Sequence, residues 1–102
     1  MGYPSCSGYA VVFTDDAKKD LAKLDRQAVT RVLEKVQDLV SADAANLNIK
    51  KLKTKAVLFR LRVGDYRVVY CVEHNRIIVY VVAIGHRSDI YDRLSKRPLK
   101  TF

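Results

Sequence analysis

Arg60, Arg62, Arg67 and Arg87, together with His86 and Tyr91, fall within the single stretch Leu58–Tyr91. Guanidinium groups bind phosphate bidentately and stay charged at any working pH. They can also neutralise the extra charge of a pentacoordinate phosphorus. Such a set suits phosphoryl chemistry on a nucleic-acid backbone. A metal-free RNA cut needs little else. The 2′-OH attacks the adjacent phosphate, one group takes its proton, and another protonates the leaving oxygen. Tyr91 and His86 compete for these proton-transfer roles. A free tyrosine has a pKa near ~10 and is a poor base at neutral pH, whereas histidine titrates near ~6.5. Chemistry alone therefore favours His86. The alternatives are a plain surface histidine after a strand, and a Tyr91 that packs beside Ile90 and Leu94.

Other chemistries lack their residues. There is no Gly-rich phosphate loop, no HExxH, no GxSxG and no cluster of metal ligands. His74 and His86 are too few and too far apart for a metal site, and no paired acids stand out. No metal or cofactor is expected. The chain of 102 residues carries 19 Lys+Arg against 11 Asp+Glu, a net charge of +8. That balance on a small domain attracts polyanions: nucleic acid, an anionic membrane or an acidic partner. Cys6 and Cys71 fit no zinc or redox spacing and read as free thiols in a reducing compartment. No apolar run is long enough to span a membrane, and the start lacks the pattern of a signal peptide. The expected location is the cytoplasm.

The elements that must position the arginines follow from periodicity. Tyr9–Phe13 is short and rich in β-formers, a strand. Thr14 reads as an N-cap with Asp15 and Asp16 in the first helical turn. Ala17, Leu21 and Leu24 share one helical face. Asp25 caps a second helix with Val29, Val32, Val36, Leu39 and Val40 as its buried stripe. The two form an αα-hairpin that needs a sheet to lie on. From Ser41 to Lys55 the pattern breaks down, and four lysines among residues 50–55 read as a basic loop anchored by Leu52. Lys51, Lys53 and Lys55 there are candidate phosphate contacts, as against a merely solvated loop.

The next segment fixes the arginines in space. With Gly64-Asp65 as a two-residue type II′ turn, Val63 faces Tyr66, Arg62 faces Arg67, Leu61 faces Val68, Arg60 faces Val69 and Phe59 faces Tyr70. Side chains alternate between faces. One face collects Phe59, Leu61, Val63, Tyr66, Val68 and Tyr70, a complete core face. The other collects Leu58, Arg60, Arg62, Arg67, Val69 and Cys71. Like charges directly opposite are destabilising, so this second face makes sense if an anion sits over it. The competing reading fans the arginines into water or pairs them with carboxylates elsewhere. After a turn at 73–76, Ile77–Ile84 is apolar without alternation, as expected of a central strand covered on both faces. Gly85 ends it, His86 and Arg87 emerge, and Ser88 caps a short helix that carries Ile90, Tyr91 and Leu94 before Arg97-Pro98 stops it. The expected fold is α+β: an N-terminal strand, a helical hairpin packed on a small, mainly antiparallel sheet, and a short C-terminal helix. Residues 1–102 form one domain, with residues 1–8 and 97–102 expected as flexible tails.

The order of these segments, with R-x-R-V-G-D-Y-R-V-V-Y and G-H-R-x-D-I-Y as its specific parts, resembles the RelE/ParE superfamily of toxin–antitoxin systems, and its RelE branch most of all. The resemblance covers Tyr9 to Leu94. It implies a compact α+β toxin that enters the ribosomal 30S A site and cleaves mRNA there without a metal, and a cognate acidic RelB-like antitoxin that covers the basic face. On the matching motif positions it implies that Arg67 holds the scissile phosphate, that Arg87 stabilises charge, and that Tyr91 activates the 2′-OH. Arg60 stands at a position often occupied by Lys, and Arg62 matches a further basic one. The chain departs from the pattern at Leu58, where a second lysine can stand, and at Arg60, whose pKa is too high for easy proton transfer. Lys51, Lys53 and Lys55 are then candidates to compensate, and His86 to share the acid–base work. Two other classes share the fold or the charge: a ParE-like inhibitor that binds DNA gyrase and cuts nothing, and a non-catalytic RNA-binding module.

Overall fold

Thr14 ends the first strand and starts the first helix: its Oγ1 accepts from the Ala17 N–H at 3.2 Å. Asp25 repeats the device, its Oδ1 accepting from the Ala28 N–H at 2.8 Å. The computed structural model describes residues 5–41 and 46–97. It contains β1 (Ala10–Phe13), α1 (Asp15–Ala22), α2 (Arg26–Leu39), β2 (Ile49–Lys51), β3 (Phe59–Val63), β4 (Tyr66–Glu73), β5 (Ile78–His86) and α3 (Ile90–Ser95). The strands form one sheet in the order β1-β5-β4-β3-β2. β1 runs parallel to β5 and the remaining pairs are antiparallel. This is the α+β architecture that the periodicity predicts.

The main core lies between the helical hairpin and one face of the sheet. Ala17, Val32, Val36 and Leu39 meet Leu61, Val63, Val68, Tyr70, Val79, Val81 and Ile84 there. A smaller core lies on the opposite face, where Ile90 and Leu94 of α3 cover Leu58, Val69, Tyr80, Val82 and Ala83. β5 is therefore covered on both sides, as its unbroken apolar run requires. The pairing of β4 with β5 slips between Val69 and Tyr70, which oppose Ala83 and Val81 respectively. Val82 is the extra residue of this bulge, so both it and Ala83 turn toward the smaller core.

The structure corrects several expected boundaries. β5 spans Ile78–His86 rather than 77–84: Ile77 is in the left-handed region, φ 59°, and closes the preceding turn, while Gly85 and His86 continue the ladder opposite Arg67 and Tyr66. The basic loop begins as an edge strand, because Ile49, Lys50 and Lys51 pair with Leu61, Arg60 and Phe59. Residues 1–8 were expected as a flexible tail, yet Cys6 is buried in the main core and Gly8 donates to the Val40 carbonyl at 2.8 Å. Tyr9 then anchors the entry to β1 through a 2.8 Å hydrogen bond between its hydroxyl and His74 Nδ1. At the other end, Arg97, expected within a flexible tail, is bonded to Asp20 and to the Val82 carbonyl. Residues 1–4 and 98–102 lie outside the described residues.

One buried charge ties α3 to the rest. Asp20 projects from α1 into the body of the protein, 1% exposed. Its Oδ2 accepts from the Ile84 N–H at 3.0 Å and from Arg97 Nη1 at 2.8 Å. Its Oδ1 accepts from Arg97 Nη2 at 2.7 Å and from Arg93 Nη1 at 3.2 Å. The same arginines also donate to β5 carbonyls, Arg93 to Ile84 at 3.1 Å and Arg97 to Val82 at 3.1 Å. β1 stops at Phe13, opposite Val81. The carboxylate and the two guanidinium groups take over the backbone groups of β5 beyond that point, as buried polar groups require.

Burial by itself raises the Asp20 carboxyl pKa. The Arg97 hydrogen bond, the Ile84 N–H and the charges of Arg97 and Arg93 outweigh it and hold the carboxyl below its ordinary range. A depressed folded pKa contributes stability that is present above the unfolded value, near ~3.9, and is lost as pH falls through the folded value. Asp20→Asn is therefore expected to cost about 3–5 kcal/mol at neutral pH, the usual price of breaking a buried pair. It should also flatten the loss of stability below pH ~4. Urea unfolding from neutral to acid pH checks both.

Candidate active site

β3 and β4 carry the arginines that the hairpin register predicts. Arg62 stands directly opposite Arg67, and Arg60 opposite Val69 on one side and Lys50 on the other. Gly64 makes this register possible. Its φ of 58° is the left-handed first position of the two-residue turn, while Asp65 has no positive φ. The Arg67 side chain folds back over that turn, its Nη1 donating to the carbonyls of Gly64 at 2.9 Å and Tyr66 at 3.0 Å. Among the described residues, no carboxylate lies within 4.0 Å of Arg60, Arg62 or Arg67, whose guanidinium groups form none of the ion pairs of the fold. Burial, then the charges of Arg62, Arg60 and Arg87, push the Arg67 guanidinium below its ordinary pKa, against an opposing pull from Tyr91. Positive charge is crowded here without a counter-ion among the described residues.

The far end of the face is closed by the segment after β5. The Arg87 N–H donates to the Asp65 carbonyl at 2.8 Å, which fastens this segment to the β3–β4 turn. The Arg87 side chain approaches Asp65 Oδ1 only to 3.9 Å, with both groups mostly exposed. Such a contact contributes little and leaves the guanidinium open to another anion. Gly85 is the cross-strand partner of Arg67. A Cβ there would stand 3.2 Å from Arg93 Nη1 and 3.3 Å from Ile90 Cδ1. The missing side chain thus lets the first turn of α3 settle beside Arg67. Ile90 and Leu94 are buried, whereas Tyr91 is 46% exposed and outside that packing. Tyr91, Arg87, Arg62 and Arg60 are the charged and titratable groups that act electrostatically on Arg67.

Two predicted site residues fall elsewhere. Because β5 continues through Gly85, His86 pairs with Tyr66, whose side chain belongs to the helix-facing side of the sheet. The two rings meet edge to face at 5.9 Å. The Ser88 N–H donates to His86 Nδ1 at 3.2 Å and Ser88 Oγ lies 2.8 Å from the same atom. Ser88 is thereby occupied, and the N-cap position of α3 is Asp89 instead. Lys51 likewise pairs with Phe59, a member of the helix-side core, so it leaves the arginine face. Lys50, which the residue pattern had not singled out, takes its place beside Arg60. Lys53 and Lys55 are exposed in the segment that follows Leu52, which itself packs against the smaller core. Among the described residues, no three His, Cys, Asp or Glu side chains gather to hold a metal ion.

Comparison with known proteins matches residues 11–91 to the family described as the ParE toxin of type II toxin–antitoxin systems. Toxin RelG of Mycobacterium tuberculosis is 31% identical over 85 residues, covering 83% of this chain and 98% of its own. The chain is a RelE-branch toxin of the RelE/ParE superfamily. The mRNA interferase toxin RelE of Escherichia coli is 26% identical to the toxin over 93 residues, covering 89% of this chain and 98% of its own. Among solved structures, the toxin–antitoxin complex RelBE2 from Mycobacterium tuberculosis superposes with a TM-score of 0.66 at 29% identity, covering 78% of this chain and 98% of that one.

The crowded arginines give the toxin a testable energetic signature. Arg62→Thr keeps a β-former in β3 and removes one of two directly opposed like charges. It is expected to raise stability by about 0.2–1 kcal/mol at low salt. The gain should shrink as salt screens the pair. Urea midpoints at low and high ionic strength measure it.

Proposed function

We propose that this toxin is a ribosome-dependent, metal-independent endoribonuclease that cuts mRNA in the 30S A site and so inhibits translation in the cytoplasm. The observation that carries the reading is the face on which Arg60, Arg62 and Arg67 lack carboxylate partners among the described residues and which Arg87 and Tyr91 close. The printed name of one relative, mRNA interferase toxin, supports it. In this reading Arg67 and Arg87 hold the scissile phosphate and offset the charge of the pentacoordinate transition state. The 2′-oxygen attacks phosphorus and gives its proton to the Tyr91 oxygen, whose own proton is relayed through water to the leaving 5′-oxygen as the bond from phosphorus to that oxygen breaks. The products are a 2′,3′-cyclic phosphate and a 5′-hydroxyl. Arg60, Arg62 and Lys50 on the face, with Lys53 and Lys55 beyond it, contact neighbouring phosphates and add affinity without sequence information. His86 has no part in these steps, since its register turns it to the other side of the sheet.

Two of the solved relatives, from Mycobacterium tuberculosis and Escherichia coli, are toxin–antitoxin complexes. We extend that partnership to this toxin, with an antitoxin segment rich in carboxylates covering the arginine face. The net charge of +8 supports an acidic cover.

A second reading is favoured by the description of the matching family, ParE toxin: a protein that inhibits DNA gyrase and cuts nothing. Toeprinting of mRNA on translating ribosomes, alongside a gyrase supercoiling assay, separates the two. The expected result is A-site cuts by the wild type and undisturbed supercoiling. Arg67→Ala, Arg87→Ala and Tyr91→Phe should each reduce cutting by about 10²-fold or more, the usual loss when one charge-stabilising group is removed. Their circular dichroism should stay that of the wild type. Gyrase inhibition without A-site cuts would reverse the assignment.

A further inference from the structure

Asp20 lies outside the arginine face, on a helix of the opposite layer. Yet its carboxylate is bonded to the helix that bears Tyr91. α3 has only six residues, Ile90–Ser95, too few to be a stable helix on its own. Its side-chain cap is missing as well: Asp89 makes no capping hydrogen bond. Two apolar side chains, Ile90 and Leu94, hold it by packing. Among the described residues, the side-chain hydrogen bonds that tie it to the body of the protein come from Arg93 and from Arg97 just beyond its end. Arg93 reaches Asp20 Oδ1, the Ile84 carbonyl and Asp89 Oδ2, and Arg97 reaches both Asp20 oxygens and the Val82 carbonyl. The Ile84 N–H fixes the carboxylate itself against β5. Arg93 Nη1 also occupies the space above Gly85, the cross-strand partner of Arg67. A single carboxylate thus sets both the angle of α3 and its height over the strand beside Arg67.

We propose that Asp20 is a positioning residue of the cleavage site: through Arg93 and Arg97 it locks α3 so that the Tyr91 hydroxyl is held at the arginine face. This rests on the reading of Tyr91 as the group that accepts the 2′-OH proton. The chemical logic is that of orientation. A misplacement of about 1 Å at a reacting group can cost on the order of 10²-fold in rate. Packing by two side chains leaves a short helix free to pivot, whereas a carboxylate with two arginines at fixed distances does not. Asp20 touches neither RNA nor the reacting atoms, so its loss should slow the chemical step without weakening encounter with the ribosome.

Single-turnover cleavage on programmed ribosomes, run across toxin concentration, tests this in a double-mutant cycle with Tyr91→Phe. The expected result for Asp20→Asn is a fall of about tenfold or more in the limiting rate. The half-saturating concentration should stay within about twofold of the wild type, and Asp20→Glu should recover part of the rate by restoring the charge. In the Tyr91→Phe background, Asp20→Asn should change the remaining rate by less than about twofold, because residues that act as a unit are not additive. Full additivity, or a change confined to half-saturation, overturns the proposal. Amide hydrogen exchange reads the tether without any activity: residues 90–95 should exchange faster in Asp20→Asn while β4 and β5 keep their protection. Unchanged exchange there also overturns it. Arg93→Gln leaves Arg97 and the Ile84 N–H on the carboxylate and is the milder variant to use if Asp20→Asn does not fold. Failure of the wild type to cut would reject the endonuclease reading and any catalytic consequence of Asp20, while the exchange rates would still decide whether the tether exists.

Discussion

The register between β3 and β4 is the constraint on which everything else depends. Side chains alternate along a strand, so a slip of one residue would carry Leu61, Val63 and Val68 out of the core and Arg60, Arg62 and Arg67 into it. The two-residue turn at Gly64-Asp65 prevents that slip, and the glycine's positive φ is what lets so short a turn match the twist of the strands. The same register that completes the core obliges Arg62 and Arg67 to face each other. Core and cationic face are thus two consequences of one turn. The repulsion between those arginines remains uncompensated by any carboxylate of the described residues.

That face of the sheet is divided. Its upper part is charged, and its lower part is apolar: Leu58, Val69, Tyr80, Val82 and Ala83 lie beneath α3. One short helix therefore serves two purposes. It keeps water from the smaller core and it carries Tyr91 to the edge of the charged region. Its buried partner is an ionic one, which follows from where β1 ends. Beyond Phe13 the outer edge of β5 has no neighbouring strand, so its backbone groups at Val82 and Ile84 need polar partners. Asp20 and the two arginines of the C-terminal segment satisfy them. The bulge at Val82 turns two successive residues toward α3 and widens the surface on which that helix sits.

Much of this was legible in the residues. Gly64 between two alternating runs gives the hairpin, and the alternation gives both faces. Thr14 and Asp25 before apolar-periodic runs give the helix starts. What escaped has physical reasons. Asp20 looks like one more charge on an amphipathic helix, because its partners are 73 and 77 residues away. The available clue was its place on the face of Ala17, Leu21 and Leu24, with Arg93 and Arg97 four residues apart in the C-terminal segment. His86 was misplaced by parity: a strand that runs two residues past the expected end, through Gly85, turns the next side chain to the opposite face. The edge strand Ile49–Lys51 is only three residues long and lysine-rich, which hid it within a basic loop and exchanged the roles of Lys50 and Lys51. The folding of Cys6 into the core rests on tertiary contacts that its neighbours do not signal.

The claim at the centre of the account is that the arginine face and Tyr91 act on a ribonucleotide whose own 2′-oxygen is the nucleophile. The direct measurement uses two programmed ribosome complexes that differ by one atom: an all-ribose mRNA, and the same mRNA with a 2′-deoxynucleotide on the 5′ side of the cut. The account predicts cleavage of the first, with a 2′,3′-cyclic phosphate on the upstream fragment and a 5′-hydroxyl on the downstream one, and no cleavage of the second at that position. Cutting of the deoxy-substituted message at the same bond, or a 5′-phosphate on the downstream fragment, would contradict it.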